Sequence, residues 1–345
     1  HKVTNIDKVA PTLEITGNPT QWTNQDVTLT ANVSDGTVEF YNGSEWVKGN
    51  IQTITDNGTY TFKVTDAAGN TTKQNIVIDK IDKVAPVAPL ASADITHATN
   101  QDVTITATFS EDSSEKQYSL DNITWYNYTE SISFANNGVI YFRAIDEAGN
   151  ISDVTTYEVT NIDKIAPTLE ITGNPTQWTN QDVTLTADVS DGIVEFFNGS
   201  KWIAGNVQTV ADNGTYQFRV TDEAGNVTTK DIFVDKIDKD APIAPIASTN
   251  TTSITNQDVI VKATFSEDSA VKQYSINGGQ WLDYINAIVM TDNGTVEFRG
   301  IDAAGNISDV VTYEVNNIDK EAPTLEIVGN PTKWTNKDVP LTATI

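Results

Sequence analysis

The chain has no cysteine, which excludes disulfides, thiolate chemistry and zinc held by sulfur. Small secreted domains commonly rely on disulfides, so an array without them needs another brace, for which a bound metal is the obvious choice. Basic residues are scarce: 21 Lys and Arg stand against 47 Asp and Glu, for a net charge of −26. Nucleic-acid binding requires basic patches, and an anionic membrane surface repels such a chain, so neither is an expected partner. No apolar run approaches the roughly 18 to 20 residues that span a bilayer, and no membrane insertion is expected of this stretch. No signal peptide is visible. The sequence starts at His1 and stops inside a repeat at Ile345, which reads as a fragment of something longer. The two histidines, His1 and His97, form neither a triad nor a zinc set. Acidic neighbours such as Glu111-Asp112 cannot flank a substrate as the carboxylates of a glycosidase do. There is no glycine-rich phosphate loop, and catalysis is not expected.

What is present is repetition. Ile-Asp-Lys-x-Ala-Pro begins at Ile6, Ile81, Ile162, Ile237 and Ile318, at alternating intervals of 75 and 81 residues. A fixed period marks a tandem array. Proline fixes its own φ and pushes the preceding residue toward extended geometry, so this stretch reads as a stiff joint carrying an oxygen ligand. Residues 1–80 and 162–236 form one repeat type, A; residues 81–161 and 237–317 form a second, B; residues 318–345 restart type A. Glu170 to Asp182 matches Glu14 to Asp26 residue for residue, so the larger period is 156 residues. Repeats of this size close a small core, but a marginal one.

Within a repeat, helical periodicity is absent and short alternating segments follow one another. In the first, Val27, Leu29, Ala31 and Val33 share one face of a predicted strand, Val38 to Tyr41 leads to the hairpin signal Asn42-Gly43, and Tyr60 to Val64 alternates again. About seven short strands rich in Thr and Val predict an all-β chain of immunoglobulin-like antiparallel sandwiches forming an extended rod. A strand of ten residues spans about 33 Å, so four domains in line reach on the order of 130 to 170 Å.

In a seven-stranded sandwich, the loops after strands two and six lie beside the preceding joint, and the bottom of the preceding domain adds Asp56-Asn57-Gly58 and Thr23-Asn24-Gln25-Asp26 from across the gap. That argument gathers acidic residues at one end of each domain: Asp7, Asp35 and Asp66 in the first repeat; Asp82, Glu111, Asp112 and Asp146 in the second; Asp163, Asp191 and Asp222 in the third; Asp238, Glu267, Asp268 and Asp302 in the fourth; and Asp319 at the last joint. Calcium takes six to eight hard oxygens, and these are the expected ligands. The same Asp-x-Ala-Gly-Asn loops are also good turn sequences, because Asp bonds its own backbone, Gly adopts φ > 0 and Asn tolerates the left-handed region. Asp26, Asp102, Asp182 and Asp258, which open strands, suit turn or capping roles.

Trp46, Trp125, Trp202 and Trp281 follow a hairpin and are expected to close the cores. Trp22, Trp178 and Trp334 follow Asn-Pro-Thr; packing against the next domain is the main expectation for them, and an exposed sugar platform the alternative.

The Asp-Lys-x-Ala-Pro joints, Asp-x-Ala-Gly-Asn loops and Asn-Gln-Asp-Val-Thr strand starts resemble the bacterial immunoglobulin-like tandem repeats of giant cell-surface proteins and adhesins, across the whole chain. The resemblance implies an extracellular stalk or spacer on a bacterial surface. It implies calcium at the joints, with Asp82, Asp146 and their equivalents as ligands. It also implies that host or surface receptors are bound by a separate domain. The expected partners of this stretch are its own neighbouring repeats. Two other classes remain open: a self-assembling filament or surface layer built with other copies of the chain, and a glycan-binding module.

Overall fold

The computed structural model describes residues 4–345; His1 lies outside them. In the first repeat the strands are β1 (Leu13–Thr16), β2 (Val27–Val33), β3 (Thr37–Tyr41), β4 (Trp46–Lys48), β5 (Ile51–Ile54), β6 (Gly58–Thr65) and β7 (Thr71–Ile78). They form a three-stranded sheet in the order β1-β2-β5 and a four-stranded sheet in the order β4-β3-β6-β7, with every pairing antiparallel. The fourth strand pairs with the third, whereas in the constant-type immunoglobulin layout it belongs to the other sheet. The β3–β4 hairpin turns at Asn42, whose Oδ1 accepts the N–H groups of Ser44 and Glu45 at 3.0 and 2.9 Å, while Gly43 takes φ 102°.

The second repeat uses β8 (Leu90–Ala93), β9 (Val103–Thr108), β10 (Glu115–Ser119), β11 (Tyr126–Asn127), β12 (Ile132–Phe134), β13 (Gly138–Ile145) and β14 (Thr155–Val159). Its sheets are β12-β9-β8 and β11-β10-β13-β14, the same topology. The third and fourth repeats again show one three-stranded and one four-stranded sheet each. Residues after Ile318 contribute a two-stranded pair, Glu326–Val328 with Thr342–Thr344.

The chain divides into two compact units. One comprises the residues up to Ile165 together with Glu223–Asn226, the other Ala166–Asp222 with Val227–Ile345. Each repeat has its own core. In the first, Val27, Leu29 and Ala31 of β2 meet Phe62 and Val64 of β6, and Leu29, Phe62 and Val64 are fully buried. Period-two alternation on two facing sheets is what brings them together. Ile81, the first residue of the joint, is buried in that same core. In the second repeat Val103, Ile105, Ile140 and Phe142 play these parts, with Tyr128 edge-on to Phe142 at 5.5 Å between ring centroids.

The four hairpin tryptophans do not close these cores, contrary to the sequence expectation. Trp46 pairs with Tyr41, and Val38 and Phe40 already take the inward parity of β3, so the pair faces outward. There Lys63 Nζ lies 4.5 Å from the Trp46 ring centroid. Arg143, Arg219 and Arg299 stack on Trp125, Trp202 and Trp281 at 4.1 to 4.3 Å, contacts worth about 0.5–1 kcal/mol at a surface.

Phe62→Ala should destabilise the first repeat by about 3–5 kcal/mol through lost burial and the cavity left behind. In calorimetry of the whole chain, one component of the melt should move down while the rest stays in place. A melt that shifts as one body would contradict independent cores.

Candidate functional site: the joints

Each joint is a short backbone ladder. In the first unit, Thr23 N–H donates to Lys80 O at 3.0 Å and Asp82 N–H to Thr23 O at 2.9 Å, a parallel bridge between Thr23 and Ile81. On the other side, Asn57 uses its side-chain amide as if it were a strand: Nδ2 donates to Ile81 O and Oδ1 accepts Ile81 N–H, both at 2.8 Å. The Ile81 and Asp82 N–H groups and the Lys80 and Ile81 carbonyls are thus paired from both sides, as a half-buried connection requires. Asn137 with Ile162, Asn213 with Ile237 and Asn293 with Ile318 repeat the arrangement at 2.8 to 3.0 Å.

The joint lysine forms an ion pair with the aspartate that opens the second strand: Lys83–Asp26, Lys164–Asp102, Lys239–Asp182 and Lys320–Asp258, at 2.6 to 2.8 Å. These pairs are half exposed, so each contributes about 0.2–1 kcal/mol.

The loop after the sixth strand reaches the joint from the following repeat. In the second repeat, Asp146 N–H donates to Asn150 O, and Gly149 N–H donates back to Asp146 O. Gly149 sits at φ 88°, a conformation that glycine adopts without cost. The Asp146 carboxylate accepts Asn150 N–H on Oδ1 and Asn150 Nδ2 on Oδ2, both at 2.8 Å. Asn150 Nδ2 also donates to Asp82 O at 2.9 Å. Asp82 therefore donates its N–H to the first repeat and accepts on its carbonyl from the second. The second unit reproduces this: Asp238 N–H donates to Thr179 O at 2.9 Å, and Asn306 Nδ2 donates to Asp238 O at 2.8 Å and to Asp302 Oδ2 at 2.7 Å. In the first repeat Asn70 Nδ2 donates to Asp66 Oδ2 at 2.8 Å and to Asp7 O at a longer 3.4 Å. Asn226 Nδ2 donates to Asp163 O at 3.0 Å.

The fifteen acidic residues expected as calcium ligands separate into three groups. Asp66, Asp146 and Asp302 are buried in their loops, and Asp222, at the same loop position, is half-buried. Asp7, Asp82, Asp163, Asp238 and Asp319 form the second group. Each turns its carboxylate onto the backbone N–H two residues ahead, at 2.9 to 3.1 Å, the Asx-turn that the residue pattern left open. Asp35, Glu111, Asp112, Asp191, Glu267 and Asp268 are exposed in the turns after the second strand. Among the described residues no three His, Cys, Asp or Glu side chains form a group able to hold a metal ion. The loop carboxylates of Asp66, Asp146 and Asp302 already accept N–H donors on both oxygens. At Asp82 and Asp238 the joint carbonyl faces an amide N–H.

The turn holding Asn57 and the strand start holding Asp26 were expected at the joint; the clamp of Asn57 on the joint isoleucine, the contacts of Asn150 and its equivalents, and the pairing of the strand-opening aspartates with the joint lysines were missed. Their signal is fixed spacing: an Asn recurs 24 or 25 residues before each joint isoleucine, where a turn alone would also accept Asp or Gly. Trp22 and Trp178 are exposed, at 40% and 49%.

The fold and the joints define a class: tandem antiparallel β-sandwiches, each hydrogen-bonded into the linker it shares with the next. No family model matches the chain. A stretch of 120 residues is 35% identical to the PI-type and PII-type proteinases of Lactococcus lactis subsp. cremoris and to the PII-type proteinase of Lacticaseibacillus paracasei. It covers 34% of this chain and only 6% of the length of each relative. Similar solved structures include a Ca2+-stabilized adhesin that helps an Antarctic bacterium reach out and bind ice (18% identity, TM-score 0.45, covering 90% of this chain and all of that one). The tetra-tandem repeat in the extending region of a large adhesion protein is also similar (16% identity, TM-score 0.28, with the same coverage).

The joint loops carry a pH signature. Hydrogen bonds from the Asn70 side chain and from the loop backbone hold the Asp66 carboxyl below its ordinary value. For Asp302, burial pushes the carboxyl up, but the Asn306 amide and the loop N–H groups outweigh it and the net direction is down. A folded value below the unfolded one stabilises above the ordinary carboxylate range, and this contribution is lost as pH falls through the folded value. NMR titration should place both groups below the ordinary aspartate value, with Asn70 and Asn306 backbone amides losing exchange protection as each protonates. Values at or above the ordinary one would refute the loop's role as a carboxylate cradle.

Proposed function

We propose that this chain is a spacer: a stalk segment of a bacterial surface protein that holds a separate binding domain away from the cell. The observation that supports this best is the replicate joint. Asp82 and Asp238 make the same backbone contacts to the repeat before and the repeat after, at distances that agree within 0.1 Å. A linker meant to flex has no use for a backbone satisfied on both sides. A binding or catalytic module has little use for copies at a 156-residue period. The excess of acidic over basic residues, a net charge of −26, favours solubility and disfavours collapse of such a segment on itself. In this reading the chain acts by length, its only partners are its own repeats, and no reaction is carried out by these residues. Extracellular placement follows from the same role.

The test is small-angle X-ray scattering on the whole chain in physiological salt. A spacer should give a maximum dimension on the order of 130 to 170 Å and a profile without the rising plateau of flexibly linked beads. A maximum dimension well below that range, or a freely jointed profile, would end the spacer reading.

A further inference from the structure

Three features outside the cores compete for attention. The exposed tryptophans have nothing on the surface around them that specifies an occupant. The apolar ridge Val84, Val87 and Leu90, exposed at 75%, 72% and 75%, carries no sign of what would cover it. The loop asparagines carry more, because their partners are defined on every side and the arrangement occurs in both units.

We infer that Asn150 and Asn306 are interdomain locks, each supplying through an uncharged side-chain amide the bridge between loop carboxylate and joint carbonyl that a divalent cation would otherwise have to make. The argument is one of donor count. A side-chain amide has two N–H groups. In Asn150 these serve Asp146 Oδ2 at 2.8 Å and Asp82 O at 2.9 Å, so the nitrogen stands between two oxygens that would otherwise face each other. The partial positive charge sits where a cation bridging loop and joint would sit. A hydrogen bond to a charged acceptor is stronger than one to a neutral acceptor; the lock has one of each. The Asp146 carboxylate is held for this purpose, since its other oxygen accepts Asn150 N–H and so fixes the asparagine backbone. Aspartate at position 150 would bring a third negative or carbonyl oxygen to the site and no donor. Alanine would leave the carboxylate and the carbonyl without their shared partner.

The inference deepens the spacer reading and rests on it only for its use, because the lock is a property of the joint whatever the chain is for. The experiment uses the whole chain and the Asn150→Ala/Asn306→Ala double variant, each in calcium and in chelator, by small-angle scattering. The unchanged chain should give the same profile in both media, and the double variant should turn flexible in both. Amide exchange at Phe142, in the middle of β13, reports separately whether the second repeat is still folded. Should the variant unfold, NMR of the unchanged chain decides: the Asn150 and Asn306 side-chain amide protons should exchange slowly, with shifts indifferent to chelator. Loosening of the unchanged chain by chelator, a double variant as stiff as the parent, or fast-exchanging side-chain amides would each overturn the lock. A stiff double variant of full length would do so while leaving the spacer reading intact. A parent chain flexible in both media would instead strike the spacer reading.

Discussion

The structure depends on how two small cores share one stretch of backbone. Lys80-Ile81-Asp82 is at once the last bridge of the first repeat and the first anchor of the second. Ile81 is buried in the core behind it, while the Asp82 carbonyl is bonded by the repeat ahead of it. A repeat of this size buries little surface of its own, so a linker left in water would set two marginal cores adrift. Satisfying the linker's N–H and C=O groups from both sides makes the connection part of each core's edge. The proline of Ala-Pro then removes a backbone donor at the point where the chain leaves this ladder, and holds the exit extended.

Charge follows from the same constraint. With a net charge of −26, an acidic end of one domain beside another invites the assumption that a cation must neutralise it. The side chains also answer these carboxylates locally. The joint aspartates cap backbone N–H groups two residues on, the loop aspartates accept both a backbone and a side-chain donor, and the strand-opening aspartates pair with the joint lysines. Each carboxylate is answered within a few residues or by one partner across the joint. The acids left over, such as Glu111 and Asp112, are exposed, where water and salt screen them.

Much of this was legible in the residues. The alternation in Val27 to Val33 placed β2 and its buried face, and the Asn42-Gly43 dipeptide placed a hairpin. The topological argument also brought the right loops to the joint, since Asp146 and Asn57 do reach it through Asn150 and Ile81. What residue types could not show was where the carboxylate oxygens point. Asp-x-Ala-Gly-Asn contains ligands and donors in equal measure, and which of them face each other depends on the left-handed glycine that folds the asparagine back over the aspartate. The tryptophans failed for a different reason. Size suggested burial, but parity decides: with Val38 and Phe40 inward, Tyr41 is outward, and Trp46, directly opposite across the hairpin, must be outward too. Its large face is then shielded by Lys63 and Lys73, long side chains laid over an aromatic surface.

The two repeat types show which parts of the design are independent. Types A and B differ in the loop after the second strand, in the length of the joint and in the aromatic packing of the core: Tyr128 and Phe109 flank Phe142 in B, while Phe40 alone meets Phe62 in A. The joints do not follow that difference. The bridge to the strand-opening loop, the asparagine clamp on the joint isoleucine and the lysine–aspartate pair recur at all four joints, in either order of types. A core can be repacked without disturbing its neighbour because nothing of the core crosses the joint except the isoleucine, and that side chain stays behind. The repeats are therefore modular in their interiors and uniform in their connections.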